Sequence, residues 1–317
     1  MVLELDQYSD GKAARLWNLY IGDQSERTRH YKQFLKRELN AHSCDTVLDV
    51  ACGTGIDSVM LIEEGFSVTS CDFSDKMLKC AWNTRWNRRK EPAFDNWDIY
   101  EANWLTLTSD LDTDRQYDAV ICLGNSFAHL PDLTGNQDSH RLALRNFATM
   151  VKPGGILLID HRNYDYILDN GRAPSKNIYY NSQYVSDINT SVVYQDGSPS
   201  KVILDYVMRD PTASTDSTLW LDNQPPPAPS RTAISTNQKD NEFTLTYYPH
   251  RVASFRALLE EAFDHRATVT TLGDFQPLEQ VQDPAFYIHV VHKSEDSPQP
   301  NGDHPEEAWS SVSSSEE

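Results

Sequence analysis

Thr46-Val-Leu-Asp-Val-Ala-Cys-Gly-Thr-Gly55 is the stretch whose reading decides the fold. Val47, Leu48 and Val50 make a short apolar run suited to a parallel strand buried on both faces. Gly53 and Gly55 turn the chain at once, and Asp57-Ser-Val-Met-Leu-Ile-Glu-Glu64 opens a helix. A strand, a Gly-x-Gly turn and a helix start form a site for a nucleoside, because glycine lets a ligand approach the backbone closely. The plain alternative is a tight strand-to-helix turn that holds nothing.

The next strand, Phe66 to Asp72, ends in an acid. A carboxylate at the tip of the second strand is placed to accept hydrogen bonds from ribose hydroxyls. Asp72 can also serve the helix that opens just after it, with Ser74 or Asp75 as cap. A dinucleotide fingerprint needs a third glycine where this chain has Ser58, and no Gly-Lys-Ser/Thr marks a P-loop. A nucleoside without a pyrophosphate fits better, and S-adenosylmethionine is the leading candidate.

Working outward, residues 10–42 read as helical, with Ala13, Leu16, Trp17 and Tyr20, then Tyr31, Phe34 and Leu35, on apolar faces. Trp17 and Tyr20 either pack in a core or cover the ligand. A third strand spans Trp97 to Tyr100, and Glu101-Ala-Asn-Trp104 after it can contact an adenine ring. The fourth, Tyr117 to Leu123, runs into Gly124-Asn-Ser-Phe-Ala-His129. A helix from Asp138 to Met150 stops at Lys152-Pro-Gly-Gly155. The fifth strand, Ile156 to Asp160, carries His161, Arg162, Asn163 and Tyr164 at its tip. Ligands collect at the carboxyl ends of such strands, so these turns face one crevice.

The pattern changes after residue 163. Ile178–Tyr180, Ser191–Tyr194, Val202–Tyr206 and Phe243–Tyr248 alternate as strands of a small antiparallel sheet, interrupted at 210–240 by a Pro-, Ser- and Thr-rich loop. A helix from Val252 to Phe263 and strands at Ala267–Thr271 and Ala285–Val291 return to the main sheet. The expected division is a helical cap at 1–45, a nucleoside-binding core at 46–162, an inserted antiparallel unit at 163–246, a return to the core at 247–293 and a disordered acidic tail at 294–317.

The formal charge of −19, from 28 Lys and Arg against 47 Asp and Glu, argues against nucleic acid and anionic membrane surfaces as partners. No apolar run approaches the roughly 20 residues of a membrane-spanning helix, and Met-Val-Leu-Glu-Leu-Asp is no secretory signal. The five cysteines lack Cys-x-x-Cys spacing, so free thiols in a reducing, cytoplasmic compartment are expected and no metal site.

Tyr8-Ser-Asp-Gly, Asp49-Val-Ala-Cys-Gly-Thr-Gly55, Arg85-Trp-Asn-Arg-Arg-Lys-Glu-Pro-Ala-Phe94, Leu123-Gly-Asn-Ser-Phe-Ala-His-Leu-Pro131 and Asp160-His-Arg-Asn-Tyr-Asp-Tyr166 closely resemble the glycine N-methyltransferase family. The resemblance implies an α/β fold: a Rossmann-like methyltransferase sheet with helices on both faces, an N-terminal helical cap and a small inserted antiparallel β-sheet substrate domain. It implies methyl transfer from S-adenosylmethionine to the amino group of glycine, giving sarcosine, without a metal. A methyltransferase for another small amine such as sarcosine, or a weakly catalytic S-adenosylmethionine or folate binder, are the alternatives. Around the cofactor the resemblance would put Tyr8, Trp17, Tyr20, Arg27, Ala51, Gly53, Asp72, Met77, Asn103, Trp104, Leu123, Ser126 and His129. Around glycine it would put Arg162, on the carboxylate, with Asn125, Gly124, Tyr20, Tyr180, Tyr206 and Tyr247. It further implies a homotetramer, and a folate ligand acting through an N-terminal arm; here only Met1–Asp6 precede Gln7.

Overall fold

The apolar run at Val47 becomes β1 (Thr46–Asp49), followed by β2 (Ser67–Asp72), β3 (Asp98–Glu101), β4 (Tyr117–Cys122) and β5 (Val151–Arg162); all but the edge strand β3 are largely buried. The structure, a computed structural model, describes residues 7, 24–111, 115–132, 135–174, 178, 185–208 and 242–295. The first cap segment, the 210–240 loop and the tail from 296 lie outside them.

β1 to β5 pair parallel with one another, and β11 (Phe286–Lys293) inserts antiparallel between β5 and β9 (Ala267–Gly273). The full order is β10-β9-β11-β5-β4-β1-β2-β3, with β10 the short Gln276–Pro277 pair at the edge. Strand order reverses between β1 and β4, which opens a crevice at their carboxyl ends.

Helices cover both faces because strand side chains alternate with period two. Val47, Ala119, Ile121, Ile156 and Leu158 face α1 (Gln24–Ala41) and α2 (Ile56–Glu63), where Tyr31, Phe34, Leu35 and Leu39 are buried as their helical spacing predicts. Leu48, Val120, Cys122, Leu157 and Ile159 face the opposite core. There they meet Ala143, Leu144 and Phe147 and, from a second helix, Phe255, Leu258 and Leu259. Each such buried side chain contributes about 1.5–3 kcal/mol, so the two apolar layers dominate the stability of the sheet. Between these elements lie α3 (Asp75–Asn87), α4 (Pro92–Asp95) and α5 (Leu107–Asp110). The two helices of the opposite core are α6 (Asp138–Met150) and, following α7 (Tyr164–Asn170), α8 (Val252–Ala262).

Two local expectations are corrected. Lys152–Gly155 is no loop: β5 begins at Val151, and the register against β4 shifts between Tyr117 and Ala119 to absorb the Pro-Gly-Gly. Gly155 is needed there, since a Cβ would lie 2.6 Å from the Asp118 carbonyl. The small sheet is β6 (Val185–Gln195), β7 (Ser198–Met208) and β8 (Glu242–Tyr247), in that order; Ile178 sits in a bend instead of a strand. Asp196 and Gly197 both have positive φ (51° and 77°), the conformation of a tight hairpin turn between β6 and β7. Val202, Leu204, Tyr206, Leu245 and Tyr247 share the apolar core of the α1 face. Sequence periodicity also missed α7, whose seven residues start where the Asn163 side chain accepts the Tyr166 N–H at 2.9 Å. Among the described residues no helix is long and apolar enough to cross a membrane.

Candidate active site

The Gly-x-Gly turn is built by backbone geometry that other residues resist. Gly55 has φ +87°, and a Cβ on it would lie 2.7 Å from the buried Trp97 ring. Gly53, at φ +53°, faces Met77 and donates its N–H to Asp72 Oδ2 at 2.8 Å. Asp72 Oδ1 also accepts the Ser74 N–H at 2.9 Å, so this one carboxylate ties the turn to the start of α3. Ser74 itself, at the N-cap, makes no side-chain capping bond. Ser58 sits beneath the turn and donates to Asp49 Oδ2 at 2.7 Å, while accepting from Ser70, which accepts from Trp97 Nε1. Burial pushes the Asp49 carboxyl up to about 7, with Asp57 adding to the rise.

Above the turn lies a cleft of about 200 Å³ lined by Ala51, Gly53, Asp72, Met77, Asn103, Trp104, Leu123, Gly124, Ser126 and His129, among others. Trp104 is fixed as a wall: its indole N–H donates to the Val50 carbonyl at 2.6 Å, and its ring stacks on Phe127 with centroids 5.8 Å apart. Asn103 Oδ1 accepts the Leu105 N–H, which holds the turn after β3. Ser126 Oγ donates to the Leu123 carbonyl at 2.8 Å. His129 packs against Tyr247 with centroids 4.6 Å apart and rings tilted by 37°, and burial holds it neutral, its pKa pushed down to about 4. Gln7 reaches the same corner. Its side-chain amide donates to the Thr246 carbonyl, accepts the Thr246 N–H, and brings Nε2 to 3.1 Å from His129 Nδ1.

The second group of expected residues lies at the inner end, around the tips of β4 and β5. Asp160, fully buried, accepts the N–H groups of Gly124 (3.0 Å) and Asn125 (2.7 Å), which stabilises Asn125 at φ +65°. The Asn125 side chain also bonds within the protein. Its Oδ1 accepts the Arg162 N–H at 2.9 Å, and its Nδ2 lies 3.0 Å from the Tyr164 hydroxyl. Arg162 is 5% exposed, lies over the Phe286 ring at 5.0 Å and donates from Nη2 to the Tyr206 hydroxyl at 3.0 Å. The Tyr206 and Tyr247 hydroxyls are 3.3 Å apart, so β7 and β8 both reach the guanidinium network.

Asn125, Arg162, Tyr206 and Tyr247 therefore come together, next to the cleft that the other group lines. Tyr8, Trp17, Tyr20, Tyr180 and the Arg27 side chain lie outside the described residues. Sequence reasoning missed Asp160 and Tyr164 as supports of Asn125, and Gln7 as the tie to β8. An aspartate closing an apolar strand was the available signal for Asp160; Gln7 offered none.

The lining residues include Asp57 and Asp72 but no lysine or arginine among those described. Such a cleft repels a pyrophosphate and favours a cationic nucleoside, so the residues fit S-adenosylmethionine. No group of three or more His, Cys, Asp or Glu among the described residues is arranged to hold a metal ion.

Residues 47–155 match the family model described as a methyltransferase domain. The chain is 55% identical to glycine N-methyltransferase of Rattus norvegicus over 292 residues, covering 91% of this chain and 93% of the relative. It is 52% identical to glycine N-methyltransferase of Homo sapiens over 295 residues, covering 92% and 94%. Among solved structures, the CcbJ methyltransferase from Streptomyces caelestis shares the fold at TM-score 0.58 and 16% identity, over 92% of this chain and 99% of that one. The site geometry and these relationships agree, and the chain belongs to the glycine N-methyltransferase family.

Proposed function

We propose that the protein transfers a methyl group from S-adenosylmethionine to the amino group of glycine, yielding sarcosine. The observation that carries this reading is the buried Arg162 guanidinium at the β5 tip, beside a cleft that bears carboxylates and no lysine or arginine among its described lining residues. S-adenosylmethionine supplies, when bound, an electrophilic methyl carbon on a positively charged sulfur. Asp72 accepts the ribose hydroxyls, Trp104 and Leu123 wall the adenine, and Ala51, Gly53 and Met77 line the turn below it. Arg162 grips the glycine carboxylate as a planar fork, with Tyr206 and Tyr247 closing the pocket from the small sheet. Asn125 acts mainly by holding the Arg162 peptide; the Gly124 carbonyl and the tyrosine hydroxyls orient the amine. The amine attacks as its neutral form, having lost its proton to water, and positioning supplies most of the rate. His129, neutral and packed against Tyr247, adds no positive charge that would repel the donor.

The five free thiols support a reducing, cytoplasmic setting, and the family supports a homotetramer that light scattering would measure. A folate ligand is a further part of the proposal. Purified protein with labelled S-adenosylmethionine and a panel of glycine, sarcosine and other amino acids tests the reaction. Label appearing in sarcosine from glycine supports it; transfer to another amine with none to glycine refutes it.

A further inference from the structure

On the α8 side of the sheet, behind Arg162, lies a line of polar groups, two buried and one half-buried, that the cleft chemistry leaves unused. His161 is 1% exposed and His289 is fully buried; their rings stack 5.1 Å apart beneath Phe255 of α8. Their Nε2 atoms are 3.1 Å apart, and one proton must lie between them. Its owner follows from the outer partners. His161 Nδ1 lies 2.8 Å from the Arg162 carbonyl, which can only accept, so Nδ1 carries hydrogen and Nε2 of the neutral ring accepts. His289 must then donate from Nε2, which leaves its Nδ1 as an acceptor. Its partner there is the Thr271 hydroxyl at 3.0 Å, which can donate. One direction satisfies every atom: Thr271 hydroxyl to His289, His289 to His161, His161 to the carbonyl of Arg162. The β9–β11 register sets Thr271 opposite His289, and the β11–β5 register sets His161 two pairs nearer the β5 tip, opposite Tyr287. The relay thus crosses three strands.

We propose that Thr271, His289 and His161 form a positioning relay for Arg162. Asn125 Oδ1 holds the Arg162 N–H and His161 holds its carbonyl, so both polar atoms of this residue's main chain are pinned by side chains. That fixes the root of a side chain whose head must meet a carboxylate within a few tenths of an ångström. The inference rests on the reading of Arg162 as the glycine ligand. Burial holds both rings below their usual range, His161 at about 4, so they stay neutral at pH 7 as the relay requires.

The native protein gives the first test. Nitrogen-15 spectra of the imidazoles at pH 7 should show His289 protonated at Nε2 and His161 at Nδ1; the opposite tautomer at either ring overturns the relay. Kinetics give the second. His289→Leu should raise the glycine KM about tenfold while S-adenosylmethionine affinity stays within about twofold, since no relay residue lines the cleft. His289→Gln, which keeps a donor at the ε position, should recover most of that loss; a glutamine variant as impaired as leucine overturns the relay. Wild-type glycine kinetics in His289→Leu, with Arg162→Lys impaired, overturn the relay and leave the carboxylate grip standing. Wild-type kinetics in Arg162→Lys overturn the grip itself.

Discussion

Arg162→Lys isolates the carboxylate grip from everything else in the site. The guanidinium lies over Phe286 at 5.0 Å and donates to Tyr206 at 3.0 Å. Lysine keeps the charge but replaces a planar fork by a tetrahedral point charge. At least one charge-assisted hydrogen bond to the substrate is lost, worth about 1.5–3 kcal/mol. The contact with the Phe286 ring adds about 0.5–2 kcal/mol. The sum, about 2 to 5 kcal/mol, predicts a fall in kcat/KM for glycine of roughly 30-fold to several thousand-fold. Donor affinity should change little, because Arg162 does not line the cleft. Initial rates at varied glycine, beside calorimetric titration with S-adenosylmethionine, measure both quantities on one sample. A glycine KM within about twofold of wild type would refute the assignment of the carboxylate to Arg162.

Stability should fall in mild acid. His129 and His161 titrate near 6.5 in the unfolded chain and about 4 when folded, so the unfolded chain binds more protons between those values and stability rises with pH. Each ring should lose about 2 kcal/mol of its contribution by pH 5. Asp49, raised to about 7, works in the opposite sense and offsets part of this pair's loss. A urea midpoint at pH 5 equal to or above that at pH 7.5 would contradict the net fall. Asp72→Ala should weaken S-adenosylmethionine binding by at least tenfold, since it removes the ribose acceptor and frees the Gly53 and Ser74 amides together; unchanged calorimetric affinity would remove Asp72 from the site. Gly55→Ala combines a left-handed φ with a 2.7 Å approach to Trp97 and should cost about 2–4 kcal/mol in unfolding free energy. A melting temperature equal to wild type would show that Trp97 yields instead.

The main sheet was legible because doubly buried strands leave unbroken apolar runs, as at Val47–Leu48 and Ile156–Ile159, and glycines mark where the chain turns. What escaped was set by contacts distant in sequence. The start of β5 at Val151 depends on a register shift against β4, which no local pattern signals. The small helix α7 is too short for a helical period and owes its start to the Asn163 cap. In the site, Asp72 and Arg162 stood out as charged residues at strand tips. The Asn125 side chain also holds the Arg162 N–H and reaches Tyr164, a supporting role visible only once β4 and β5 lie side by side. The relay through His289 joins residues more than a hundred positions apart, and only the folding of β11 against β5 brings them together.

The hydroxyl of Tyr206 on Arg162 carries a consequence for how the pocket fills. The walls around it are stitched through main-chain amides, by Asp160 to Gly124 and Asn125 and by Asn125 to Arg162. Such stitching resists deformation, whereas a phenol hydroxyl turns about a single bond. The phenol oxygen takes the place on Arg162 that a carboxylate oxygen would take, and keeps the buried cation hydrogen-bonded to protein. On the proposed reading of Arg162, substrate arrival exchanges one acceptor for another across a rotor with little reshaping of the main chain, so capture need not wait for a slow rearrangement of the fold.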